Sequence, residues 1–283
     1  MLKTKCGLCS PKLKAFLCAA WELKFLFPFK ELNALQTYAR GFGALTFVYS
    51  LFRIKDWDIL YGSDTFVPRD FALSYFPEAV RPWVYIFPES QWGALVMYVL
   101  MTLILLASAF RPLPVLVKAV AWFLHLMFFH RNLPGIYGGD LILNAFYFYY
   151  VFSETKNQNI YKMLLISAQL QLIVVYFVSA LAKLTGKTWI EGSAIGLVMQ
   201  NKQMVIWSFD LLSLSPMVSA ILSWWVLFFE LGAPFGFTGR KTKPFWIWTG
   251  IGMHLFIACF MGLWFFSSKM LLAYVLFRPK QRP

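Results

Sequence analysis

Charged residues are scarce in this chain of 283 residues, at 14% of the sequence, and histidine occurs only three times. No H-x-x-x-H or H-E-x-x-H spacing is found, and His125 and His130 are five residues apart, which places them on different faces of a helix. We therefore expect no metal site. The sequence also contains no Gly-rich phosphate loop and no nucleophile elbow, so nothing in it indicates a nucleotide-binding protein or a serine hydrolase.

Cysteine is also rare, with four residues in the chain. Cys6 and Cys9 form a C-x-x-C, which suits a redox pair or half of a zinc site. No second pair lies near it, and the topology argued below places it in the reducing cytosol. We interpret it as a plain reduced pair near the terminus.

Hydrophobic residues, in contrast, make up 59% of the chain and aromatic residues 19%, including 30 phenylalanines. A soluble core cannot hide that much apolar surface, so the composition predicts an all-α, polytopic membrane bundle. The net charge of +13 would indicate nucleic acid as the partner of a soluble protein. In a membrane protein the excess of basic residues in cytoplasmic loops explains it, so we expect the lipid membrane, and no nucleic acid, as the partner.

The apolar runs predict about eight transmembrane helices, together with interfacial helices. Residues 1–33 form a basic, interfacial segment, residues 34–277 the bundle and residues 278–283 a short basic tail. Residues 53–90 contain four prolines and form a long loop, and residues 190–199 are too short to span. The predicted spans are about 33–52, 91–110, 114–129, 140–152, the first two-thirds of 161–192, 215–236, 244–265 and 269–277.

With this topology, about twice as many basic residues lie inside as outside when both termini are cytoplasmic. Arg40 falls within the first span, where it is costly in lipid and should point inward or reach an interface. The same topology brings Lys183, Asp140, Glu191 and the loop with Arg131 to the outer side.

A broken polar stripe runs along the fifth span. Gln169, Tyr176, Ser179 and Lys183 follow at steps of seven, three and four, which puts them on one face of a helix. Polar groups that face lipid lack partners, so the stripe should face the protein interior or a cavity. It is either a seam between helices or one wall of a ligand pocket with Lys183 at its mouth.

Lys183 also has two interpretations. A lysine in a poorly solvated pocket loses affinity for its proton and can act as a base, whereas a lysine near the end of a span can extend to the lipid headgroups. His254 lies in mid-span near Gly250 and Gly252, which would let a neighbouring helix approach closely, and is either a ligand contact or a hydrogen-bonded bundle histidine.

Asp140 begins the fourth span, with Asn144 and Tyr147 on the same face. It is either a helix N-cap or the partner of Arg131 or Lys183. Glu191 is a site candidate or a solvated residue on an interfacial helix. Glu230 is a buried carboxylate or, near the inner interface, a solvated or paired one.

Two segments carry a family resemblance. YFVSALAKLTGKTWIEG, residues 176–192, resembles the helix and turn of the vitamin K-dependent γ-carboxylase superfamily, with its aromatic pair, K-L step and W-x-x-G. HRNLPGIYGGD, residues 130–140, resembles the R-N…G-G-D segment of the bacterial branch, the horizontally transferred transmembrane (HTTM) family. The helix with Arg40, the acidic aromatic loop after it and the G-x-x-x-H starting at Gly250 also fit. The likeness extends over about residues 34 to 277.

The resemblance implies a bacterial inner-membrane protein with an outward-facing cavity for a quinone, vitamin K-like or lipid-like ligand. In the carboxylase the lysine at the position of Lys183 is the base that deprotonates vitamin K hydroquinone. Lys183 is thus the expected catalytic residue, and the expected ligand contacts are Tyr176, Asp140, Asn144, His254, Glu191 and Arg131.

Two departures from the family's pattern limit that expectation. No large soluble domain follows the predicted spans, and G-G-D stands near the place of the carboxylase's other catalytic histidine. We therefore do not expect glutamate carboxylation. A related small bacterial member matures a secreted peptide toxin together with a partner, so the alternative is a non-catalytic subunit that binds a protein or peptide supplied in trans.

Overall fold

A computed structural model describes residues 32–278, except 63, 64, 66, 80, 85, 89, 133–135, 209 and 212–214. These described residues form helices, turns and loops, with no strand among them. The predicted interfacial N-terminal helix and the C-x-x-C lie outside the described residues. The eight longer helices are α1 (Ala34–Arg53), α2 (Gln91–Phe110), α3 (Val115–Arg131), α4 (Gly138–Val151), α5 (Gln158–Leu184), α6 (Pro216–Thr238), α7 (Lys243–Met261) and α8 (Trp264–Ala273).

Four of these helices, α2, α5, α6 and α7, are long and apolar enough to cross a membrane. At most 39% of the most apolar window of each is buried, so much of their hydrophobic surface is available to lipid. The all-helical membrane fold agrees with the prediction. The count of about eight spans stays a prediction, because α1, α3, α4 and α8 are shorter or less apolar.

The helix limits follow local signals in the sequence. Asn33 caps α1 through a capping box with Gln36, and Asn157 caps α5. Pro216 occupies the first turn of α6, where its missing N–H is harmless. In the loop of residues 53–90 the prolines restrict helix formation to short pieces, Trp57–Tyr61, Arg69–Ser74 and Arg81–Val84.

The predicted seventh span of residues 244–265 is too long. Helix α7 ends at Met261 because Gly262 adopts a left-handed conformation, with φ of 70°, and α8 begins at Trp264. After α8, residues Tyr274–Phe277 form a single 3-10 turn that packs against α1 and α5. This turn carries Tyr274 into the interior, where it reaches the candidate site.

The helices form two groups that α8 joins. Helices α1 to α4 pack on one another, α5 packs along α6, and α7 packs on α6 and α8. Helix α8 also contacts α1 and α4, so the break at Gly262 turns the chain back from the second group to the first.

Helix α1 is held by charged clusters at both ends. Near its start, the Arg40 guanidinium lies 2.9 Å from the Glu154 carboxylate, and the fully buried Lys118 lies 3.4 Å from the same carboxylate. Near its end, Tyr49 donates a hydrogen bond of 2.9 Å to Asp140. Arg40 therefore points inward, as predicted, since its charge is compensated inside the bundle.

Candidate functional site

A cavity of about 600 Å³ lies between α5, α6 and α7 and extends to α8. Its volume falls within the range of ligand-binding pockets, about 300–1,000 Å³. Most of its lining is apolar, and the polar side chains on its wall are Tyr176, Ser179, Lys183, Glu230, Thr249 and His254. The larger apolar and aromatic side chains of the wall include Trp189, Trp225, Met253, Phe256, Phe266 and Met270.

Lys183 and Glu230 form a salt bridge at one end of this cavity. The Lys183 ammonium lies 2.9 Å and 2.8 Å from the two Glu230 carboxylate oxygens and 2.6 Å from the Ser179 hydroxyl. The Glu230 side chain is 8% exposed and that of Lys183 is 21% exposed. The indole of Trp189 lies over the ammonium, with the nitrogen 5.3 Å from the ring centroid. These contacts account for all three ammonium hydrogens of Lys183.

Three helical segments meet at Tyr176, which is 2% exposed. Its hydroxyl is 2.8 Å from His254 Nε2 on α7 and 2.5 Å from the hydroxyl of Tyr274. His254 is 1% exposed, and its Nδ1 has no hydrogen-bond partner among the described residues. A Cβ atom at Gly250 would overlap the Tyr274 hydroxyl, so this glycine makes room for the triad.

The stripe of α5 thus faces the interior along its whole length, as predicted. Gln169 donates a hydrogen bond of 2.7 Å to the Leu276 carbonyl, and Tyr176, Ser179 and Lys183 follow it toward the cavity. The stripe is a seam at Gln169 and lines a cavity from Tyr176 onward, while the interpretation of that cavity as a ligand pocket stays a prediction.

The fourth side of the cavity is a stretch of short helices, Lys187–Ile190 and Ala194–Gln200, which contributes Trp189, Ile195 and Val198. Ser219 and Ser223 on α6 donate hydrogen bonds to the Gly192 carbonyl and accept from the backbone amides of Gly196 and Ile195. Two α6 hydroxyls thereby satisfy the Gly192 carbonyl, which lies in a turn, and two amides in the first turn of the helix Ala194–Gln200 that have no partner within that helix.

Asp140 lies in a different place from the cavity. It accepts a hydrogen bond from Tyr49 and has Arg53 and Lys269 at 3.9 Å and 4.0 Å. Both interpretations of Asp140 are wrong. Tyr137 is the N-cap of α4. Lys183 has Glu230 as its partner, and Arg131 donates to the Val67 carbonyl. The Asp140 cluster borders a void of about 40 Å³, room for about one or two water molecules.

The other predicted ligand contacts also lie apart from the cavity wall. Asn144 accepts a hydrogen bond of 3.1 Å from the Trp122 indole, and Arg131 donates to the Val67 carbonyl. Glu191 is exposed and pairs with Lys187 at 3.4 Å. Of the seven predicted site residues, the structure brings Lys183, Tyr176 and His254 to one cavity.

Tyr274 is a site residue that sequence reasoning missed. Glu230 is not among the predicted site residues, because its place near the inner end of the sixth span favours a solvated or paired role. The structure shows that Glu230 is both buried and paired, with Lys183 as its partner. No sequence signal exists for Tyr274, since it follows the end of α8 and no spacing relates it to Tyr176.

No group of three or more metal-binding side chains occurs within the described part of the chain. Comparison with protein-family models, curated proteins and solved structures finds no match to this sequence. The interpretation of the site therefore depends on its geometry and chemistry.

Proposed function

We propose that this protein binds an elongated, apolar ligand with one polar end, of the quinone or lipid class, in the cavity between α5, α6 and α7. The observation that supports this proposal is a largely apolar cavity of about 600 Å³ whose wall carries a few polar groups, among them the contacting side chains of Lys183, Glu230 and Ser179. Ligand sites typically combine apolar walls with a few convergent polar groups. The resemblance to the γ-carboxylase and HTTM proteins points to the same ligand class.

The polar end acts as a unit. Because three acceptors surround the Lys183 ammonium, Lys183 can accept a proton from a ligand only after passing one of its own to Glu230. We therefore propose that Lys183 and Glu230 together bind the ligand's polar group. Any base catalysis by Lys183, as the family resemblance implies, would proceed through the pair.

Filling the cavity tests this proposal. Gly252 lines the cavity, and a Cβ there would meet no atom within 4 Å. We expect the wild-type protein, purified gently, to carry a quinone or lipid in native mass spectra. The Gly252→Phe variant should lose that ligand, because the ring occupies its space.

Gly138, at the start of α4, has equally open surroundings and lies outside the cavity, so Gly138→Phe is the matched control. It should retain the ligand. If Gly252→Phe carries as much of the ligand as the wild type, the cavity is not the binding site.

One observation favours a second function. A lysine already paired with a carboxylate suits recognition or structural support better than proton abstraction. The protein would then be a non-catalytic membrane subunit that binds a protein or secreted peptide for its maturation or assembly. Substitution of Lys183 separates the two functions, as argued in the Discussion.

A further inference from the structure

The charges at the polar end of the cavity cancel. Among the described residues that line the cavity, Lys183 and Glu230 are the charged ones, and they contact each other directly. Ser179 accepts from the ammonium at 2.6 Å and donates to a Glu230 oxygen at 3.4 Å. This hydroxyl on α5 therefore contacts both charged groups, Lys183 on α5 and Glu230 on α6. Apart from Tyr176, Thr249 and His254, the other side chains of the wall are apolar or aromatic.

An apolar cavity penalises an uncompensated charge strongly. A ligand with a carboxylate would bring a second negative charge to Glu230, and a ligand with an ammonium would bring a second positive charge to Lys183. A neutral head adds no net charge. A hydroxyl can donate to a remaining lone pair of the Glu230 carboxylate, and a hydroxyl or carbonyl oxygen can accept from the Lys183 ammonium by taking the place of one of its three present acceptors.

We infer that Glu230 determines the charge of the ligand, so that the site selects a neutral hydroxyl- or carbonyl-bearing head over a carboxylate or an ammonium. This inference rests on the proposed ligand-binding function and adds a specificity-determining residue to it. It also predicts that the selectivity can be changed in a defined direction by removing either charge of the pair.

Three probes of equal chain length test it: hexadecanol, palmitate and hexadecylamine. Each is titrated into purified protein in mild detergent, and the apparent Kd is taken from thermal stabilisation, since a ligand that binds the folded state raises its unfolding temperature. The wild-type protein should prefer hexadecanol. The three probes partition differently into detergent, and this difference is the same for every variant. The ratio of apparent Kd values between two probes is therefore compared between the wild type and each variant.

Glu230→Gln leaves Lys183 without its counter-charge and should shift the preference toward palmitate by at least about tenfold in apparent Kd. Lys183→Met leaves the carboxylate alone and should shift the preference by a similar factor toward hexadecylamine. The double variant restores neutrality and should not favour either charged probe. Glu78→Gln removes an exposed carboxylate in the outer loop and should behave as the wild type.

A Glu230→Gln protein with unchanged probe preference would overturn the inference. If that variant does not fold, Lys183→Met is compared with the neutral double variant. A Lys183→Met protein with the same probe preference as the double variant would overturn the inference as well. Probes that bind without any charge preference contradict this inference while the ligand-binding function stands. If none of the three probes stabilises the wild type or any variant, both are wrong.

Discussion

The Lys183 ammonium has a hydrogen-bond acceptor for each of its hydrogens, and two of the three belong to one carboxylate. This geometry stabilises the charged lysine and differs from that of a lysine extending to lipid headgroups. Arg40 is similar, since its guanidinium binds Glu154 and two backbone carbonyls inside the bundle. At the scale of the residue, each of these cations inside the helical bundle has an identified partner.

Substitutions of Lys183 can distinguish a role that needs only its positive charge from a role as a base that accepts a proton. Lys183→Arg keeps a positive charge beside Glu230 but cannot serve as a base, because guanidinium stays protonated to above about pH 12. We expect it to fold and to retain ligand stabilisation. Lys183→Ala leaves the carboxylate of Glu230, whose side chain is 8% exposed, without its ion-pair partner. We expect it to lower the free energy of unfolding by up to about 3 kcal/mol. Thermal unfolding in detergent measures both.

The same variants decide between the two proposed functions in any assay of the protein's role. Loss of that role in a well-folded Lys183→Arg protein supports a base, whereas its full retention supports the binding subunit. An alanine variant as stable as the wild type would contradict the salt bridge itself.

At the scale of the element, α7 presents two glycines with opposite surroundings. Gly250 faces Tyr274 and the ring of Phe229, whereas Gly252 faces the open cavity. The expectation that both glycines allow close helix packing is therefore correct for Gly250 alone. Residues two positions apart lie on nearly opposite sides of an α-helix, so Gly250 lies in a packed seam and Gly252 lines the cavity.

This difference predicts opposite effects of one substitution. Gly250→Ala should displace Tyr274, disturb its hydrogen bond with Tyr176 and destabilise the protein by about 1–3 kcal/mol, as overpacking does. Gly252→Ala should be neutral or stabilising by up to about 1 kcal/mol, since alanine favours a helix over glycine. Unfolding in increasing denaturant compares the two, and equal effects would contradict the assigned packing.

At the scale of the whole molecule, the spans carry much lipid-accessible apolar surface, and the basic residues divide unequally between the predicted sides. The side of each loop depends on the positive-inside rule, which predicts that residues 53–90 face outward and that the loop between α6 and α7 faces the cytoplasm.

Cysteine labelling checks this topology in a background that lacks the four native cysteines. Asp70→Cys, exposed in the outer loop, should react with a membrane-impermeant maleimide on intact cells. Thr242→Cys, exposed between α6 and α7, should react only after permeabilisation. The reverse labelling pattern would mean that the predicted topology is inverted and that the cavity lies toward the opposite side of the membrane.

Sequence patterns alone predict the helical membrane fold and several helix limits, such as residues 91–110, although α5 begins three residues before the predicted residue 161, at Gln158. Apolar run length, prolines and capping residues act within one segment, so these features are local. The inward face of α5 was predictable for the same reason, because helical periodicity relates Gln169, Tyr176 and Ser179 without knowledge of any other helix.

Which side chains meet across helices depends on the packing of the whole bundle. Lys183 pairs with Glu230, 47 residues away, and Tyr176 meets Tyr274, 98 residues away. Asp140, predicted beside Lys183, instead joins Arg53 and Lys269. Each of these contacts depends on which helices pack together and on their relative positions along the bundle axis. A charged group pairs with an opposite charge that this packing brings within a few ångströms. Residue spacing within one helix carries no information about such contacts between helices.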